Sequence, residues 1–224
     1  MGHDLLPVVV LISGAGTNLQ ALIDAAQAGT IPIRIAAVIS NRPGAPGLAR
    51  AERAGIPVHT LDHTAYPDRE SFDEALQACI ETYDPGLVVL AGFMRILTPG
   101  FVEHFAGRML NIHPSLLPDF RGLRTHERAL QAGIREHGAS VHFVNNELDG
   151  GPVIMQARVP VLADDTPERL TARVQAREYE LYPKVVGMFG EGRLKLEDDQ
   201  VRLDGRPIRA PLDLDTIPDS PREK

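Results

Sequence analysis

The chain has 224 residues, of which 43% are hydrophobic and 24% charged, a balance that fits a folded globular protein and excludes wholesale disorder. Its formal net charge of −7 lacks the basic footprint that general nucleic-acid binding needs. A single cysteine, Cys79, excludes an internal disulfide and a Cys-rich zinc site.

No apolar run approaches the roughly 18–20 residues of a membrane helix. The stretch from Pro7 to Ile12 is too short for a signal peptide, and His3 and Asp4 stand where its basic residues would be. The expectation is a cytoplasmic protein with no membrane and no nucleic-acid partner.

Val8 to Ile12 reads as a buried strand, followed by the Gly-rich turn Ser13 to Asn18 and a helix marked by Leu19, Leu22, Ile23 and Ala26. Ile31 to Ile39 is a second strand, closed by the turn Asn41-Arg42-Pro43-Gly44. A short helix over Leu48 to Ala54 stops at Gly55, and Ile56 to Leu61 is a third strand. Phe72, Leu76, Cys79, Ile80 and Tyr83 share one helix face within Arg69 to Tyr83. Asp84-Pro85-Gly86 breaks that helix, and Leu87 to Ala91 and Arg108 to His113 are further strands. Strands alternating with helices predict a mostly parallel sheet covered on both faces.

The second half changes character. Ser140 to Val144 and Val153 to Val159 flank a polar turn and read as a hairpin. Thr166 caps a helix with Pro167 at its first position, running to about Met188. Two short strands follow within Gly190 to Val201, and from Pro207 the chain reads as a tail with little core to contribute.

Five groups of residues could carry chemistry. Ser13 to Asn18 at a helix N-terminus suits a single phosphate, since it has neither a Walker lysine nor the third glycine of a dinucleotide fingerprint; an ordinary strand-to-helix turn fits equally. Asn111 and His113 share one strand face at the carboxyl end, where open α/β sheets bind ligands. They form either an oxyanion-stabilising pair or a buried polar pair. Asp149 is a turn former, or the carboxylate that orients His113. The apolar run from Ala91 to Pro99 is a pocket wall or core packing. Gln175, Glu178 and Tyr182 share a helix face that binds hydroxyls or meets solvent. His59 and His63 do not lie in a helix, and the 8 histidines show no metal-binding pattern, so no metal is expected.

The run Asn111-Ile112-His113-Pro114-Ser115-Leu116-Leu117-Pro118 resembles the signature of the folate-dependent formyltransferases. The likeness continues through Ile12 to Gln20, Ala91 to Leu97, Glu147 to Ile154 and the helix with Gln175 and Glu178, covering about residues 7–205. It implies a Rossmann-like α/β domain with a mostly parallel twisted sheet, helices on both faces and an antiparallel C-terminal part. Within 7–205, a phosphate-binding half would span about 7–110 and a folate and catalytic half about 111–205, with 206–224 as a tail.

The implied reaction moves the formyl group of 10-formyltetrahydrofolate, the co-substrate, to the amine of glycinamide ribonucleotide in purine synthesis, without a metal. Asn111 and His113 would stabilise the oxyanion, with Asp149 holding His113 charged and oriented. Gly16, Thr17 and Asn18 would hold the ribose phosphate, and Glu178 the ribose hydroxyls or amine side. Met94, Arg95, Ile96 and Leu97 would line the folate site together with Asn111, with Arg69 nearby and the turn from Asn145 to Asp149 closing over the pterin.

The alternative from the same resemblance is a formyltetrahydrofolate deformylase, a hydrolase that has no use for a phosphate loop. Its usual N-terminal regulatory domain finds no room before Val8, and the basic second domain of the tRNA-directed relatives finds none in a short acidic chain. Asp119-Phe120-Arg121 departs from the less acidic segment expected there. The partners are small-molecule substrates, and a homodimer is expected only because closed pairs are common.

Overall fold

The computed structural model describes residues 5–217. The readings of residues 1–4 and 218–224 lie outside them. The chain forms β1 (Leu6–Ile12), α1 (Thr17–Gln27), β2 (Ile33–Ser40), α2 (Pro46–Arg53), β3 (Val58–Thr60), α3 (Arg69–Glu81), β4 (Leu87–Leu90), α4 (Pro99–His104), β5 (Met109–His113), α5 (Thr125–Gln131), β6 (Glu136–Phe143), β7 (Val153–Pro160) and α6 (Pro167–Gly190), then four short strands. These are β8 (Leu194–Glu197), β9 (Gln200–Leu203), β10 (Arg206–Pro207) and β11 (Leu212–Asp213). Among the described residues no helix is long and apolar enough to cross a membrane.

The main sheet has the order β11-β7-β6-β5-β4-β1-β2-β3. Its strands from β3 to β5 run parallel, while β6 is antiparallel to both β5 and β7. The central strands are buried on both faces, which is why they read as unbroken apolar runs. One face carries Val8, Val10, Val38, Val89 and Leu110 under α1 and α6; the other carries Val9, Leu11, Ala37, Val88 and Met109 under α3 and α4. The α/β class with a mostly parallel sheet is therefore the fold of this chain.

The chain turns from β1 toward β2 and β3, then returns to lay β4 and β5 on the other side of β1. That reversal opens a crevice outside the carboxyl ends of β1 and β4, the place where doubly wound sheets bind ligands. Ser13 to Asn18 leaves β1 there, residues 91–98 leave β4, and Asn111 and His113 end β5 beside them.

Several boundaries moved. β6 begins at Glu136 rather than Ser140. Glu136, His137 and Gly138 lack an apolar run, and Gly138 is required because a Cβ there would lie 1.9 Å from the Ala157 carbonyl oxygen of β7. α6 continues to Gly190 through Pro183, since Leu181, Tyr182, Val185 and Val186 are fully buried and hold the helix on the sheet. Thr166 caps it by accepting the Arg169 N–H at 3.4 Å. The segment after Pro207 also does more than a tail would. β11 pairs parallel with β7, and Leu214 packs into the core.

Candidate active site

Strand alternation puts the side chains of Asn111 and His113 on one face, and β6 supplies their neighbours in register: Asn111 opposite His142 and His113 opposite Ser140. The Asn111 amide lies 3.1 Å from His142 Nε2. His142 Nδ1 is 2.9 Å from the Phe143 carbonyl and donates to it, so Nε2 is the bare nitrogen and accepts one Asn111 N–H. Burial holds the His142 imidazole below its ordinary pKa and keeps it neutral. Asn111 is thus fixed in orientation with its second N–H left for a ligand.

His113 is buried between two oxygens. Its Nε2 lies 3.0 Å from the Phe120 carbonyl and its Nδ1 lies 3.4 Å from Asp149 Oδ2. The Phe120 carbonyl can only accept, so it keeps a proton on Nε2, and Nδ1, facing the carboxylate, is the atom free to take or give the other. Asp149 Oδ2 also accepts the Gly122 N–H at 2.8 Å, and Asp149 Oδ1 lies 4.0 Å from His142 Nε2. Asp149 has a left-handed backbone, φ 48°, a conformation that Asp adopts more readily than most residues.

The loop after His113 is tied to the sheet. Ser140 Oγ accepts the Leu117 N–H at 3.0 Å and donates to the Ser115 carbonyl at 2.7 Å, while Gln156 Nε2 donates to the Leu117 carbonyl at 2.9 Å. Ser140 and Gln156 are cross-strand partners in β6 and β7. This ladder places the Phe120 carbonyl. Phe120 itself sits at φ 53°, an uncommon conformation for a bulky residue and a local strain beside the site. The Asp119-Phe120-Arg121 departure therefore falls on the residue that orients His113. Arg121 reaches Glu147 of the Asp149 turn at 3.4 Å.

His126 and His137 stand behind this loop, 3.2 Å apart, with the His137 ring edge-on to Phe120. Burial, then the charges of His126 and His113, pulls His137 down to about 4. Between its ordinary value of 6.5 and about 4 the unfolded chain binds a proton there that the folded chain does not, so stability falls as pH drops through that window. Thermal melts between pH 7 and 4 should show Tm falling with acid, and His137→Gln should flatten that slope; an unchanged slope would remove His137 as the cause.

The other loop is the turn from Ser13 to Asn18. Gly16 caps α1 with φ 68°, and a Cβ on it would lie 2.7 Å from Gly47 Cα. Gly47 N–H donates to the Gly14 carbonyl at 3.0 Å and Arg50 Nε to the Ala15 carbonyl at 2.8 Å, so α2 braces the loop from outside. Asn18 Nδ2 donates to Glu178 Oε2 at 2.9 Å, joining the start of α1 to α6, while Asn18 Oδ1 is buried with no protein partner. Burial raises the Glu178 carboxyl above the usual range, with the Asn18 bond opposing it. Tyr182, one turn on, points its hydroxyl at the Leu90 and Leu110 carbonyls of the adjacent strands β4 and β5. Burial, then the Glu178 charge, holds its phenol well above its ordinary pKa.

The segment after β4 exposes Met94 and Ile96, at 58% and 59%, and packs Leu97 on the α3 side of the sheet. Arg95 lies over the Phe72 ring at 4.7 Å. Asp73 of α3 ends the segment by accepting the Thr98 N–H at 2.6 Å. Burial raises the Asp73 carboxyl, against the Thr98 bond and the charges of Arg95 and Arg69, which brings Arg69 into the same neighbourhood. Among the described residues no group of three His, Cys, Asp or Glu side chains is placed to hold a metal ion.

The Ser13–Asn18 loop, the segment after β4, Asn111, His113 and Asp149 thus fall on loops or strand ends around one crevice, and Glu178 of α6 joins them through Asn18. Sequence reasoning missed His142, Ser140, Gln156 and the Phe120 carbonyl. Alternation along β6 puts Ser140 and His142 on one face, which was the available signal, but the β5–β6 register was not.

A doubly wound sheet with a Gly-rich loop at its switch point, an Asn–His pair on a neighbouring strand and an Asp from the β6–β7 turn is an arrangement suited to a group transferase or a hydrolase. A family profile described as formyl transferase matches residues 6–186. A phosphoribosylglycinamide formyltransferase of Escherichia coli (strain K12) is 56% identical over 199 residues, covering 89% of this chain and 94% of its own. The solved structure of the phosphoribosylglycinamide formyltransferase of Coxiella burnetii superposes with a TM-score of 0.90 at 55% identity, covering 94% of this chain and 99% of that one. Glycinamide ribonucleotide transformylase 1 of Symbiobacterium toebii gives 0.87 at 47% identity, covering 90% and 95%. The chain belongs to the formyl transferase family and is an enzyme of the transferase class.

Proposed function

We propose that this enzyme transfers the formyl group of 10-formyltetrahydrofolate to the amine of glycinamide ribonucleotide, a step of purine synthesis. The observation that carries it is the meeting of the braced Gly16 loop, the Asn18–Glu178 pair and the Asn111–His113–Asp149 set around one crevice.

Gly16, Thr17 and Asn18 present backbone N–H groups at the α1 terminus to the ribose phosphate. Glu178, with the bare Asn18 Oδ1 beside it, takes the hydroxyls or the amine. Met94, Arg95, Ile96 and Leu97 line the folate side, with Arg69 near its acidic end. The amine nitrogen attacks the formyl carbon and the carbonyl π pair moves to oxygen. The free N–H of Asn111 and the Nδ1–H of His113 stabilise that oxyanion, and Asp149 holds the imidazolium. Collapse re-forms the carbonyl, breaks the bond to the folate nitrogen and leaves the formyl group on the amine. The amine's proton reaches the departing nitrogen by way of His113 and Asp149.

The deformylase alternative leaves the braced phosphate loop without a task, and the relatives named above favour the transferase. The two part in one assay. Folate product formation from 10-formyltetrahydrofolate should require glycinamide ribonucleotide. Formate release at the same rate without the ribonucleotide would overturn the proposal.

A further inference from the structure

Ser13 is the first residue beyond β1, and its side chain is buried at 5% exposure. Its hydroxyl donates to Asn41 Oδ1 at 2.5 Å and accepts the Met94 N–H at 2.7 Å. Its own N–H donates to the Gly92 carbonyl at 3.1 Å. Asn41 is itself buried and is held in place by His63, whose Nδ1 lies 2.8 Å from the Asn41 carbonyl. Among the described residues, the hydrogen bonds that join the loop after β1 to the loop after β4 are both made by Ser13.

The two loops are anchored unequally. The stretch from Gly14 to Asn18 keeps its tie to Gly47, its tie to Arg50 and the Asn18–Glu178 pair whether or not the Ser13 hydroxyl is present. The start of the segment at Met94 rests on that hydroxyl, and the next backbone hydrogen bond is Thr98 on Asp73, with Arg95 over the Phe72 ring and Leu97 on the α3 side between them. The Met94 side chain is itself exposed, so little packing of its own replaces the bond there.

We propose that Ser13 is a positioning residue for the folate, although it belongs to the loop that serves the ribonucleotide. This rests on the reading above, in which residues 94–97 line the folate site and 16–18 hold the phosphate. The hydroxyl fixes the Met94 backbone in the geometry that receives the folate, and it couples the two substrate sites at the switch point of the sheet. Removing it takes the partner from the Met94 N–H and leaves the buried Asn41 side-chain Oδ1 without its donor, an arrangement that proteins avoid.

The test compares wild type, Ser13→Ala and Ser13→Thr, which keeps the hydroxyl, by steady-state kinetics in each substrate and by amide exchange of the peptide spanning 92–98. In Ser13→Ala the KM for 10-formyltetrahydrofolate should rise roughly tenfold. The KM for glycinamide ribonucleotide should rise less, kcat should fall less than threefold, and the Met94 amide should lose protection before any substrate is added. Ser13→Thr should restore the folate KM.

A ribonucleotide effect larger than the folate effect would overturn the inference, as would a fall in kcat alone, which a general packing defect would produce. Faster Met94 exchange with an unchanged folate KM would do so too. Failure of wild type itself to saturate with 10-formyltetrahydrofolate would instead remove the reading of residues 94–97 as the folate wall. If Ser13→Ala does not fold, Ser13→Thr and the wild-type protection of Met94 still decide the matter: an unprotected Met94 amide in wild type overturns it.

Discussion

Asn111→Ala and Asp149→Asn should each lower kcat by on the order of a hundredfold or more, with much smaller changes in either KM. The two act differently. Asn111 contributes one free N–H, its other being held 3.1 Å from His142 Nε2, so alanine removes an oxyanion donor outright and leaves the His142 nitrogen bare. Asparagine at 149 keeps the size of the side chain and an oxygen for the Gly122 N–H, but removes the charge facing His113 Nδ1 at 3.4 Å. In the proposed mechanism, His113 then loses its carboxylate partner beside the oxyanion, and the proton path from amine to folate nitrogen loses a carrier. Because both act on one developing charge, the double variant should lose far less than the product of the single losses. Melting temperatures within a few degrees of wild type would show that the fold survives. A kcat within threefold of wild type in Asp149→Asn would sink the assignment of Asp149.

The sequence carried the parallel half of the fold because each central strand is buried on both faces and therefore spells an apolar run. It carried the heart of the candidate site because Asn111 and His113 lie two residues apart on one strand, where alternation alone decides that they face the same way. The rest depended on information that is not local. His142 matters through the antiparallel register of β5 with β6, and Ser140 and Gln156 matter through one row of cross-strand partners. No periodicity encodes a register between strands separated by a loop and α5. The Phe120 carbonyl is invisible for another reason. Any residue carries a carbonyl, and only a left-handed φ at a phenylalanine directs this one at His113. β11 hid behind prolines and charges, since Leu212–Asp213 adds to a sheet edge through its backbone, which asks little of side chains.

Gly16→Ala should be the most damaging small change in the loop proposed to hold the ribose phosphate, and the reason is steric rather than chemical. Gly16 has φ 68°, where an L side chain costs about 1–2 kcal/mol, and its Cβ would stand 2.7 Å from Gly47 Cα. That neighbour is backbone and cannot swing away, and Gly47 is itself tied to the Gly14 carbonyl at 3.0 Å. The loop must therefore move as a unit, carrying the N–H groups of Gly16 to Asn18 off the proposed phosphate position. A displacement of about 1 Å can cost on the order of a hundredfold in kcat/KM. The accompanying loss of about 2 kcal/mol should lower Tm by roughly 4–8 °C. Gly14→Ala separates this cause from mere sensitivity of the loop. Gly14 has no protein atom within 4 Å of a built Cβ, so its alanine variant should keep its Tm to within about a degree whatever it does to binding. Equal losses of Tm in the two variants would mean that the loop tolerates no side chain at either position, and that the contact with Gly47 is not what fixes it.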